Sequence, residues 1–209
     1  MPPEPFVVPR FAAEPPQEHL PSGRWGDTLR AEFLRAALDL GEIGEPGEIV
    51  WFPDRTYAGR TFVPVTTRTS TNLELFGYVS YVVNDEPGSF HTVADVTEEI
   101  AEEHPEWKID LCDEVVGAWR GPGDKTAQMT LVWGVPQVAG GAVATAELGG
   151  RVRVTVDQCE LIENRLTLIA PDDFGGDTLE VRVYDAGGKE LAVESLYEDD
   201  GEDDEPAAS

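Results

Sequence analysis

From about Glu48 onward, apolar residues recur at every second position, in short runs separated by turn signals. This period constrains the chain more than any other feature. A side-chain repeat of two fits an extended strand with one face buried, whereas a packed helix needs spacings of three and four. The runs fall at residues 49–52, 61–67, 71–83, 107–112, 114–119, 126–133, 151–156, 165–169, 179–184 and 189–196. Within 71–83, Leu73, Leu75, Val79, Tyr81 and Val83 share one side. Pro, Gly, Asp and Asn punctuate the runs at 53–56, 84–88, 121–124 and 185–188, as turns require.

Two segments depart from this period and predict packing helices. In the first, Trp25, Leu29, Phe33, Ala36 and Leu40 follow the spacing of one buried stripe, with Asp27 as N-cap and Gly41 as the stop. In the second, Asp95 and Glu98 have the spacing of a capping box, and His104-Pro105 closes the segment. Residues 1–23 carry seven prolines and predict an extended arm, made adhesive by Phe6, Val7, Val8 and Phe11. Residues 198–209 carry seven acids and no apolar anchor, the composition of a disordered tail.

The fold class expected is therefore α+β and β-dominated. It consists of antiparallel, sandwich-like sheets in one or two sub-modules, two packing helices, and extended or disordered termini. Residues 24–136 form an α+β body. A Gly-rich stretch at 134–141 is the best internal linker. Residues 142–197 read as a small β-sandwich-like module or as the second sheet of the same domain.

Charge excludes some partners. The 209-residue chain has 15 Lys and Arg against 41 Asp and Glu, a formal net charge of −26. Such a surface repels phosphates and anionic lipid heads, so neither nucleic acid nor a membrane surface is an expected partner. Basic proteins and cations are, and a homo-oligomer is compatible with the sequence. The usage of twelve Arg against three Lys also fits a proteome-wide bias, so acidity alone assigns no function. The start, MPPEPFVVPRF, lacks the basic and apolar regions of a signal peptide, and no apolar run reaches membrane-span length. A soluble cytoplasmic protein is expected.

No motif betrays catalysis. There is no G-x-S-x-G elbow, no H-E-x-x-H helix and no phosphate-cradling glycine loop. Cys112 and Cys159 each lie beside carboxylates, which raise a thiol pKa and disfavour a nucleophile. Two buried thiols are expected, with a cross-strand disulfide as the alternative. The acidic loop 172–177 has hard oxygen ligands suited to Ca²⁺ but lacks the EF-hand ladder, and no metal or cofactor is assigned. Glu98, Glu99, Glu102 and Glu103 read as a solvated face.

One window stands out. Between Trp51 and Asn72 there are three arginines and one acid, Asp54. Arg55, Tyr57, Arg60 and Arg68 are the candidate binding residues, because Arg and Tyr dominate interface hot spots and the Arg55–Arg60 span reads as a loop. The alternative is that these arginines pair with acids from other strands. The function expected is that of a non-enzymatic binding or adaptor protein acting through protein–protein contact. The rival is a carboxylate-dependent hydrolase, with or without calcium.

Overall fold

The computed structural model describes residues 20–21, 23–82, 89–120, 126–148, 153–172, 174 and 178–196. The predicted arm (apart from its last few residues), the 121–124 turn, most of the 172–177 loop and the acidic tail lie outside them.

The chain is β-dominated and antiparallel, with a single α-helix among the described residues, α1 (Gly23–Ala37), extended by a 3₁₀ turn at Leu38–Leu40. Twelve strands follow: β1 (Val50–Trp51), β2 (Arg55–Tyr57), β3 (Arg60–Arg68), β4 (Glu74–Val82), β5 (His91–Thr97), β6 (Ile109–Arg120), β7 (Thr126–Pro136), β8 (Val143–Leu148), β9 (Val154–Glu160), β10 (Leu166–Asp172), β11 (Leu179–Tyr184) and β12 (Glu190–Ser195). The first sheet orders β1-β3-β4-β5, with β2 also on β3. The second orders β10-β7-β6. The third orders β12-β11-β8-β9.

Strand alternation builds the layers. On the first sheet, Val63, Val65, Leu75 and Val79 face Leu29, Phe33 and Ala37 of α1. The opposite face presents Phe62 and Tyr78, which pack on Met129, Leu131 and Trp133 of β7 and Ile169 of β10. The far side of the second sheet, with Val132, Leu166 and Leu168, packs on Ala146, Leu148, Val181 and Val183 of the third. No described helix is long and apolar enough to cross a membrane.

Pro64 explains a break in the first sheet. Having no N–H, it cannot complete a ladder. The neighbouring strand is interrupted opposite it, between β1 and β2, and there Phe52 N–H donates to the Pro64 carbonyl at 3.0 Å.

The predicted second helix is corrected. Residues 91–97 form β5, paired with β4 from Glu74↔Thr97 to Ser80↔His91, and only a 3₁₀ turn at Ala101–Glu103 follows. Asp95 caps no helix; its Oδ1 accepts from Val96 N–H at 2.7 Å. The first helix begins four residues before Asp27, which lies inside it, and Ala37 rather than Ala36 is its fully buried third contact. Gly41 does end the helical segment, at φ +91°. The turn expected at 53–56 is displaced to Ala58-Gly59, both at positive φ, closing a two-residue hairpin between β2 and β3. Gly134 lies inside β7, and β10 pairs with β7 along seven residue positions, so the second sheet draws strands from both sides of the 134–141 stretch. Cys112 and Cys159 are free thiols on different sheets.

Candidate functional site

Arg55, Tyr57, Arg60 and Arg68 do not converge as a set, although the hairpin register places Tyr57 directly opposite Arg60. Arg55 is buried at 2% exposure, and its guanidinium holds both carboxylate oxygens of Asp157 on β9. Asp157 also accepts from Ile169 N–H at 2.9 Å, so the pair ties the β2–β3 hairpin to β9 and β10. Burial raises the Asp157 pKa, while Arg55 pulls it back down. Tyr57 is half-buried beside Gly117, where a Cβ would come within 3.0 Å of its ring. Arg60 donates to Ser80 Oγ at 3.3 Å. Arg68, at the other end of β3, holds Glu102 Oε2 at 2.6 Å. Arg60 and Arg68 stand eight positions apart along β3, about 26 Å. Asp157 lies on another strand, the kind of partner weighed from the sequence for these arginines, whereas Glu102, the partner of Arg68, lies on the 3₁₀ turn.

Arg68 belongs to a cleft. A space of about 250 Å³ opens between the first sheet and β6, lined by Phe52, Arg68, Glu74, Glu102, Asp110 and Cys112 among others. Glu74 stands on the same strand face as Phe76 and Tyr78, an inward position in a strand otherwise apolar there. Burial pushes its pKa up to about 7, the Asp110 charge adds to the rise, and Arg68 opposes it. Burial likewise raises Asp110, with Glu102 adding and Arg68 opposing. The Cys112 thiol is pushed well above its ordinary value by burial and then by Glu74, Asp110 and Asp113.

A second, larger cleft of about 590 Å³ lies on the opposite face of β6, towards β11 and β12. Its wall carries Glu99, Asp113, Glu180 and Glu194, with Trp107 and Leu111, and among the described residues no Lys, Arg or His lines it. Glu194 accepts from Lys108 N–H at 3.0 Å, and Glu180 reaches Arg182 at 2.5 Å outside the wall. Burial raises Asp113, and the charge of Asp172 adds to it. Trp107 stacks on His104 with ring centroids 4.3 Å apart and an 8° interplanar angle, which fixes its ring at the rim. Among the described residues, no group of three or more His, Cys, Asp or Glu could hold a metal ion.

Glu99 and Glu102 read from the sequence as a solvated face, and no other carboxylate of the clefts was singled out as a site residue, because acids are everywhere in this chain. The usable signal was narrower: a single acid at an inward position of an alternating strand, as at Glu74 between Leu73 and Leu75 and ahead of Phe76. No protein-family model, no curated protein and no solved structure matches the chain.

Proposed function

We propose that this is a non-enzymatic cytoplasmic binding protein that recognises a basic protein partner by direct contact, with the larger β6 cleft as its principal seat. One observation carries the reading: four carboxylates and an oriented Trp ring line about 590 Å³ into which no basic side chain among the described residues reaches. Such a site attracts ammonium and guanidinium groups through charge and through the ring face. Free thiols suit a reducing compartment.

Titrating the full chain with a Lys-rich peptide while following Trp emission tests this. Binding should be salt-sensitive, and a variant carrying Asp113→Asn with Glu194→Gln should bind about tenfold or more weakly. Unchanged affinity in that variant would remove the cleft as the seat.

A second reading, a carboxylate-dependent hydrolase, is favoured by Glu74 and Asp110 in the smaller cleft. A carboxyl protonated near neutrality beside a second carboxyl is the arrangement general acid catalysis uses. Screening glycoside and ester substrates with the wild type and Glu74→Gln tests it: a hydrolytic activity lost in the variant supports the reading, and no activity on any of them counts against it.

A further inference from the structure

β6 is a terminal strand of the second sheet, and among the described residues no strand pairs with its outer edge. The ladder fixes which groups point outward. Gln137 N–H donates to Lys108 C=O at 2.9 Å, which gives 108↔137 the phase of a hydrogen-bonded pair although the Lys108 N–H turns to Glu194. In an antiparallel ladder such pairs alternate, so Asp110, Cys112 and Glu114 turn their backbone groups towards β7. Ile109, Leu111 and Asp113 turn theirs towards the free edge. An unpaired edge of this kind is a template for another strand.

The same strand separates the two clefts. Ile109, Leu111 and Asp113 line the larger one, whereas Asp110 and Cys112 line the smaller. A strand laid along β6 would therefore send alternate side chains into one cleft and then the other. The two spaces differ in charge. Among the described residues the ionisable groups of the larger are all acidic, and in the smaller Arg68 offsets part of the negative charge.

Resting on the binding function proposed above, we propose that β6 is the docking edge for an extended basic segment of the partner protein. The segment adds to the second sheet as a fourth strand, with Lys or Arg at alternate positions seated in the larger cleft and neutral side chains in the smaller one. Main-chain hydrogen bonds supply affinity and the paired clefts supply specificity. Charge selects the occupant. A second copy of β6 would bring Asp110, Asp113 and Glu114 against themselves. The acidic residues 198–205 are repelled in the same way, and the prolines of residues 1–21 lack the N–H groups a ladder needs.

The probe is a fluorescent, end-capped peptide, Lys-Thr-Lys-Thr-Lys-Thr-Lys, titrated into the full chain and followed by anisotropy. Two further versions carry N-methyl groups on all Lys amides or on all Thr amides, with charge unchanged. Strand addition uses only one alternate set: the Lys amides if the peptide lies antiparallel to β6, the Thr amides if parallel. One methylated peptide should bind more than tenfold weaker, and the other within about twofold of the parent. Hydrogen exchange at Leu111 and Asp113 should slow in the complex with the parent peptide. If both methylated peptides bind like the parent, or exchange at those amides is unchanged, strand addition is wrong while charge-based binding stands. If the parent peptide does not bind at all, the function proposed for the cleft fails, and this inference with it.

Discussion

Arg55 and Asp157 stand 102 positions apart in sequence and meet in the interior, where the guanidinium keeps Nη2 on the carboxylate. Removing one partner of a buried pair strands the other charge, which costs about 3–5 kcal/mol. Arg55→Ala should therefore lower the melting temperature markedly in a thermal scan. Arg60→Ala, which gives up only a long bond to Ser80, should cost less than about 1 kcal/mol. Equal, small effects would show that Arg55 is not held as described. The candidate window held one such structural arginine because charge counting along a sequence cannot see a partner on β9. Glu74 makes a second residue-scale prediction. Its folded pKa, about 7, exceeds its ordinary 4.5, so the folded state binds more protons between those values. Stability must then fall as pH rises through that window, and the cost is fully present above pH 7. Partial exposure limits that cost to about 1–2 kcal/mol. Glu74→Gln should raise the melting temperature at pH 8 and leave it nearly unchanged at pH 4. The same gain at both values would mean that ionisation of Glu74 is not its source.

The hairpin between β2 and β3 turns on two residues only, Ala58 at φ +52° and Gly59 at φ +77°. Positive φ at both central positions is the type I′ geometry that matches strand twist, and its preferred pair is Asn-Gly. Ala is strained there and Asn is not, so Ala58→Asn should stabilise by about 0.5–1 kcal/mol, read as a higher denaturant midpoint with an unchanged m-value. A lower midpoint would show that Ala58 packs rather than merely turns. The turn itself was misplaced by the sequence, which put it at 53–56, but the long strand that follows was legible. The alternation put Leu73, Leu75, Val79, Tyr81 and Val83 on one side; the first four do share a face, which packs on α1, and Val83 lies outside the described residues. The predicted second helix was not legible, because Asp95 and Glu98 imitate a capping box while the strand that contains Asp95 has a weak apolar face. Its pairing with β4 outweighs that local signal. Asp27 likewise lost to a tertiary contact. Trp25 packs edge-on against Tyr81 at 5.0 Å, and so the helix extends upstream of the cap signal. Sheet membership was the least visible property, since nothing in residues 166–172 says that they return to β7.

At the scale of the molecule, one sign of charge acts twice. A chain at −26 repels itself when folded, and this repulsion is screened as the Debye length falls from about 30 Å at 0.01 M salt to about 8 Å at 0.15 M. The folded state does hold ion pairs, such as Arg182 with Glu190 at 2.7 Å and Glu147 at 3.2 Å. These sit on a largely buried arginine, where added salt screens them weakly. Acids outnumber bases by so much that most carboxylates have no cationic partner to lose. Sodium chloride should therefore raise the melting temperature, with most of the gain complete by about 0.3 M, because screening saturates as the Debye length shrinks. A basic peptide at β6 should respond oppositely, its affinity falling steadily with salt, since the same screening weakens the attraction that seats it. The two slopes measured on one preparation separate global repulsion from the local site. A melting temperature that falls with salt would mean that the ion pairs at Arg55 and Arg182 outweigh the excess of negative charge. An affinity indifferent to salt would move the partner away from the acidic clefts on either side of β6.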